Sequence, residues 1–233
     1  MTFNSMNEEF RQKKYQVIKG AISQELANFG FNYFLLKRDA ATFMYQNNII
    51  ADTGMWGTWK DAQVPNTYSH YADPFMETLL MKVLPVMKEQ TGLELVPTYS
   101  YARAYEKGAI LWRHKDRPSC EISTTLNLGG DPWPIYVDPT GEDNVLKSEY
   151  TKLGEECIVK ETAHPGNRVD LDPGDMLVYS GCDLEHWRNE FTGNLCAQVF
   201  LHYNHVNGPF AESNKFDGRP LLGCPAFLQN KKK

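Results

Sequence analysis

The chain has 233 residues, 42% hydrophobic and 23% charged, with no low-complexity stretch, which excludes a disordered or fibrous protein. Twenty-four Lys plus Arg against 29 Asp plus Glu give a net charge of −5, the wrong sign for a phosphate-backbone binder, so no nucleic-acid partner is expected. Five scattered cysteines (Cys120, Cys157, Cys182, Cys196, Cys224), a polar start and no long apolar run lead us to expect a soluble, cytoplasmic protein with reduced thiols and no membrane partner. The length suits one domain, with 1–96 as N-terminal support and lid loop, 97–206 as a β core and 207–233 as a C-terminal extension.

In chain order, Ser23 offers a helix cap, Glu25 complements the positive helix end, and Leu26 and Phe29 begin an apolar face that Gly30 is expected to stop. Phe31 to Lys37, rich in aromatic and aliphatic residues, then reads as a strand. Ala51 to Tyr71 scatters Trp56, Trp59, Tyr68 and Tyr71 among Gly, Asn and Asp and reads as a long loop or lid, its two tryptophans candidates for substrate contact. Asp73-Pro74 then supplies a cap and a first-turn proline. Met76, Leu79, Leu80, Val83, Leu84 and Met87 follow at helical spacing, with a kink expected at Pro85 and an end near Gly92.

Beyond Leu93 the period falls to two. Ile110, Trp112, His114 and Asp116 alternate with Leu111 and Arg113; Ile122, Thr124, Leu126 and Leu128 alternate with Ser123, Thr125 and Asn127. Met176 to Tyr179 and Leu195 to Tyr203 are further β-rich runs. Gly129-Gly130, Pro139-Thr140-Gly141, Pro165-Gly166 and Pro173-Gly174 mark turns between strands. Many short strands at this spacing indicate a mainly β jelly roll with the front helices packed on one sheet. Residues i and i+2 of a strand share a face, so His114 and Asp116 present a nitrogen and a carboxylate oxygen side by side. His186, which follows the buried strand after Pro173-Gly174-Asp175, is the candidate third ligand. Two His and one carboxylate leave the opposite face of a metal open, the arrangement of non-haem Fe(II) oxygenases. His164, His202 and His205 show no partner pattern and are not expected to be ligands.

Tyr105-Glu106-Lys107-Gly108 leading into Trp112-Arg113-His114-Lys115-Asp116, then Leu126-Asn127 with Gly129-Gly130, then Pro173-Gly174-Asp175-Met176-Leu177-Val178-Tyr179 ahead of His186, form an ordered set. It resembles the Fe(II)- and 2-oxoglutarate-dependent oxygenases, within them the prolyl 4-hydroxylase-like branch, from about Pro97 to Asn204. More loosely, Tyr15 to Phe29 is similar to that branch's opening strand and helix. The resemblance implies a double-stranded β-helix core (jelly-roll, cupin-like). It also implies Fe(II) held by His114, Asp116 and His186, with 2-oxoglutarate and O2 as co-substrates. The implied reaction hydroxylates a C–H bond of a prolyl or other amino-acid unit, free or peptidyl, while 2-oxoglutarate becomes succinate and CO2. Ascorbate would serve to keep the iron reduced. The carboxylate at Asp116 favours hydroxylation over the halogenation that a small residue there would permit.

One departure concerns the basic residue that the family carries about ten positions after the second His to pair with the distal carboxylate of 2-oxoglutarate. Here Cys196-Ala197-Gln198 fills that stretch, with no Arg or Lys between Asn189 and Asn204. Arg188 is the nearest substitute, with Arg103 and Arg117 next; Tyr105 and Thr125 match hydrogen-bonding positions for the co-substrate. Trp112, Trp133 and Trp187 flank the motifs, as core or as cleft. The missing downstream base motivates a competing reading, a non-catalytic jelly-roll protein that binds a metal or ligand. A zinc hydrolase using the same three ligands is weaker, since nothing resembles its general base.

Overall fold

The computed structural model describes residues 7–51, 53–151 and 154–229. A short helix α1 (Glu8–Lys13) precedes β1 (Tyr15–Ile18), a long α2 (Gln24–Gln46), β2 (Tyr68–Tyr71) and α3 (Pro74–Thr91). The core strands are β3 (Leu95–Glu106), β4 (Leu111–His114), β5 (Ile122–Gly130), β6 (Ile135–Val137), β7 (Val145–Thr151), β8 (Gly154–Val159), β9 (Asn167–Val169), β10 (Met176–Ser180), β11 (His186–Arg188) and β12 (Leu195–His205), and α4 (Ala211–Asn214) follows. All strand pairs are antiparallel. A six-stranded sheet runs β1-β10-β5-β12-β3-β2, a four-stranded sheet runs β4-β11-β6-β9, and β7 pairs with β8 as a hairpin.

One face of the large sheet lies under the helices. Ala102, Ala104, Leu126, Val178, Val199 and Leu201 pack there against Phe34, Met76, Leu80 and Val83. The other face lines the barrel and meets the small sheet, where Leu177 and Tyr179 contact Ile135, Val137 and Val169. Strand registers arrange the inward residues in rows. Tyr179, Ser123, His202 and Tyr99 form one row, and Leu177, Thr125, Phe200 and Tyr101 the next. Because both faces are covered, β5 is buried almost throughout, with Ser123, Thr125 and Asn127 facing the lumen and Ile122, Thr124, Leu126 and Leu128 the helices.

The helix expected at Ser23 forms, with the Ser23 hydroxyl accepting from the Leu26 amide at 3.2 Å, but it does not stop at Gly30. Residues 31–37 are helical, which corrects the strand expected there. Gly30 lies in the helix interior because a Cβ would sit 3.1 Å from Phe75 Cε1 and 3.4 Å from Leu128 Cδ2. The missing side chain lets α2 approach α3 and β5. Asp73 caps α3 as expected, its Oδ1 accepting from Phe75 and Met76, and left-handed Gly92 (φ 70°) closes it. The helix continues through Pro85 to Thr91. In the segment expected to be a loop up to Tyr71, residues 53–67 form no named element and the last four residues form β2 instead of loop. After β12 the chain folds back, and Arg219 pairs with Glu77 of α3 at 2.6 Å.

Candidate metal centre

His114 ends β4 and His186 begins β11, and the two are register partners across the small sheet. Behind them, the preceding residues join the same strands. Arg113 Nε donates to Glu185 Oε2 at 2.6 Å, and its other nitrogens donate to Asp138 and to the His164 carbonyl. Glu185 Oε1 in turn accepts from the Asn144 and Val145 amides. Asp116 lies beyond the end of β4. Its amide donates to the Gly181 carbonyl at 2.8 Å, and its Oδ2 accepts from the Ser123 hydroxyl at 2.9 Å.

The three side chains converge. Nδ1 of His114 lies 2.7 Å from the Trp112 carbonyl and Nδ1 of His186 lies 3.1 Å from the Leu184 carbonyl. A carbonyl only accepts, so each Nδ1 carries the hydrogen and each Nε2 presents a lone pair. These Nε2 atoms lie 3.6 Å and 3.5 Å from Asp116 Oδ1, and all three candidate atoms fall within 4.8 Å of one another. Ligand atoms around a divalent cation stand about 3 to 3.4 Å apart for bonds of about 2.0–2.2 Å, so a small contraction suffices to hold one. The backbone carbonyls that fix both imidazoles are the partners metal-ligating histidines require. Burial opposes ionisation of Asp116; when the two imidazoles are protonated, their positive charge holds its carboxyl well below the usual carboxylate range, the place a cation would otherwise take. Electron pairs and negative charge pointed at one spot fit a divalent metal.

A cavity of about 670 Å³ opens over this group, lined by Tyr99, Tyr101, Tyr105 and Phe200 on the large sheet and by Asp61 and Gln63 from the loop before β2. Of the residues expected around the co-substrate, Tyr105 lines this cavity whereas Thr125 and Arg188 do not, and Arg188 is almost wholly buried, 1% exposed. It donates to the Trp133 carbonyl and, at 3.2 Å, to Thr125 Oγ1. Among the described residues it makes no ion pair, and burial pulls its guanidinium below the ordinary value. Its Nε and the hydroxyl of buried Tyr105 are two of six buried side-chain polar atoms that lack a hydrogen-bond partner among the described residues. A desolvated positive charge beside an unsatisfied hydroxyl is costly unless an anion completes it. Gln198, in the stretch where a basic residue was expected, accepts from Thr125 Oγ1 at 3.1 Å and donates to Asn127 Oδ1 at 3.1 Å, so it orients the threonine that Arg188 uses.

The other two arginines are already neutralised. Arg103 pairs with Asp61 at 2.7 Å and Arg117 with Asp217 at 2.8 Å. Trp133 packs on Tyr105 and Phe191 with its Nε1 donating to the Asn189 carbonyl, and Trp187 stacks on Tyr136 and Arg113, so both are framework; neither they nor Trp112 line the cavity. Trp59 packs on Tyr45 and Tyr68 away from the metal group, and Trp56 is also outside the cavity lining. The loop instead contributes Asp61 and Gln63, polar residues that no sequence motif marks. His202, set aside from the sequence, lies at the cavity wall, 2.9 Å from Ser123 Oγ, and burial pushes it down to about 4.

Among the described residues no helix is long and apolar enough to cross a membrane. No family model matches the sequence, and no curated protein matches it. Solved structures do. The epimerase SnoN, in complex with Fe3+, alpha ketoglutarate and nogalamycin RO, superposes with a TM-score of 0.62 at 12% identity, over 99% of this chain and 90% of that one. A Pseudomonas putida prolyl-4-hydroxylase gives 0.57 at 12% identity over 88% of this chain and all of the other. HygX from Streptomyces hygroscopicus, with nickel, 2-oxoglutarate and hygromycin B bound, gives 0.56 at 14% identity over 99% and 95%. The chain thus has the double-stranded β-helix fold of the Fe(II)- and 2-oxoglutarate-dependent oxygenases, a prolyl hydroxylase among them.

Proposed function

We propose that this protein is an Fe(II)- and 2-oxoglutarate-dependent dioxygenase that hydroxylates a C–H bond of a prolyl or other amino-acid unit. The carrying observation is the pairing of a His114–Asp116–His186 group with a buried guanidinium, Arg188, that lacks an acidic partner behind it. When bound, the iron supplies the redox chemistry that couples decarboxylation of 2-oxoglutarate by O2 to oxidation of the substrate carbon. His114, Asp116 and His186 hold it. Arg188, through its open Nε, and the Tyr105 hydroxyl receive the distal carboxylate of 2-oxoglutarate, and Thr125 fixes the guanidinium in place. The desolvated pocket of Trp133, Phe191 and Leu111 around Tyr105 excludes water from that charge pair.

The amino-acid substrate is supported by likeness to the prolyl-4-hydroxylase over its whole length. The aromatic wall of Tyr99, Tyr101 and Phe200 would take the apolar part of such a unit. Anaerobic titration with Fe(II) and then 2-oxoglutarate tests the core of the reading. A weak visible charge-transfer band is expected for wild type, absent in Asp116→Ala and weakened in Arg188→Ala. Iron binding without a band at saturating 2-oxoglutarate would instead favour the non-catalytic binding protein.

A further inference from the structure

Gln63 reaches from the loop into the metal group. Its Nε2 lies 3.2 Å from His114 Nε2, and its Oε1 lies 3.4 Å from both terminal nitrogens of Arg103. The amide orientation is fixed by chemistry: reversing it would set the NH2 group against a guanidinium and the oxygen against a lone pair. The loop beneath it is pinned. Asp61 accepts from the Gln63 amide at 2.8 Å, from the Tyr101 hydroxyl, and from Arg103 at 2.7 Å. Arg103, 1% exposed between the Tyr101 and Tyr105 rings, is therefore a rigid post gripping two residues of the loop.

Because His114 Nδ1 is committed to the Trp112 carbonyl, its Nε2 has a single lone pair, and Gln63 takes it. We propose that Gln63 guards the metal site: its amide and the divalent cation compete for the same His114 lone pair, so that loading the site releases the amide into the cavity. This rests on the metal reading above. With its oxygen still held by Arg103, the released NH2 group becomes a hydrogen-bond donor beside the open side of the metal. Only a side-chain rotation is needed, since Asp61 keeps the backbone anchored.

Mn(II) titration, with free ion followed by electron paramagnetic resonance, tests the competition. Gln63→Met keeps the side-chain length and removes the donor, and Gln63→Ala removes the reach. Each should bind Mn(II) about 2- to 10-fold more tightly than wild type, the reciprocal of losing one neutral hydrogen bond on loading. A merely structural role predicts weaker binding, because loosening the loop would loosen the site. In protein labelled with 15N at glutamine side chains, the amide resonance absent from Gln63→Met should shift when Zn(II) is added. Equal Mn(II) affinity in all three proteins, or a Gln63 resonance unmoved by saturating Zn(II), overturns the competition while leaving the metal site standing. If wild type binds no more Mn(II) than Asp116→Ala does, the metal reading itself fails and takes this one with it.

Discussion

Gly181, in the turn between β10 and β11, is the most exacting position around the metal group. A Cβ added there would lie 2.3 Å from the Cys120 carbonyl, 2.4 Å from Asp116 Oδ2 and 2.9 Å from Ser123 Oγ. The nearest of these, the Cys120 carbonyl, is backbone, and the Gly181 carbonyl and amide are themselves bonded to the Asp116 amide and the Glu121 carbonyl. Gly181→Ala therefore forces the Asp116 carboxylate off its position or the turn outward. Overpacking of this kind costs about 1–3 kcal/mol. For a chain of this size that lowers the thermal midpoint by roughly 2–12 °C. Displacing a ligand and its hydroxyl partner should weaken divalent-metal binding by about 10–100-fold, as losses of supporting contacts do elsewhere. Ser123→Ala removes the hydroxyl partner without the clash, and should fall between wild type and Gly181→Ala in Mn(II) affinity. Calorimetric Mn(II) titration and thermal melts on the three proteins suffice. A Gly181→Ala protein with wild-type affinity and midpoint would refute the geometry from which this is reasoned.

Arg188→Leu should raise the melting temperature of the protein alone, because it removes a buried charge without a carboxylate, while abolishing the rise given by 2-oxoglutarate with Mn(II). In wild type, co-substrate at 100 times its dissociation constant should add about 2.7 kcal/mol; a full response in the Leu variant would remove Arg188 from the site. Glu77→Ala strands Arg219, which is buried against Glu77, the Thr98 carbonyl and the Cys224 carbonyl, and should cost about 3–5 kcal/mol in urea unfolding; a loss under 1 kcal/mol would show that the tail contributes little. Asp73 accepts from Tyr33, Lys37 and His70 besides capping α3. Burial opposes its charge, but His70 and Lys37 hold its carboxyl well below the usual range. A depressed folded value means that this stabilisation is complete above about pH 4, the unfolded value, and is lost as pH falls further. The stability gap between wild type and Asp73→Asn should therefore narrow between about pH 4 and 2, and a constant gap would count against the assignment.

The metal group was legible because its signal is local. His114 and Asp116 sit two apart at a strand end, and His186 follows a strand announced by Pro173-Gly174. The proposed co-substrate anchor, Arg188, stood out in the sequence only as the basic residue nearest the expected position, since nothing in the sequence says that it is buried without a carboxylate while Arg103 and Arg117 have Asp61 and Asp217. Those partners are brought by tertiary folding from 42 and 100 residues away. The misread strand at 31–37 shows a different limit. Ala27, Gly30, Phe34 and Ala41 are the buried positions of α2, a helical spacing, but the aromatic residues between them mimic a β run and Gly30 mimics a stop. Gly30 is there for packing against Phe75, which only the fold reveals. Gln63 and Asp61 carried no motif at all; these polar loop residues reach the site through Arg103, Tyr101 and His114, which only the fold brings to them.

The buried Arg113–Glu185 pair couples the residue before one candidate metal-ligating histidine to the residue before the other. Its consequence is a division of labour by stiffness. His114 and His186 are clamped strand to strand and cannot change their spacing without breaking a buried ion pair, whereas Asp116 hangs beyond the strand end on one hydroxyl and one turn carbonyl. When ions of different radius enter, the adjustment falls on the carboxylate arm. On the proposed metal reading, discrimination among divalent ions falls to the Ser123–Gly181 turn region, and substitutions there should reorder ion preference while those behind the histidines should weaken all ions alike.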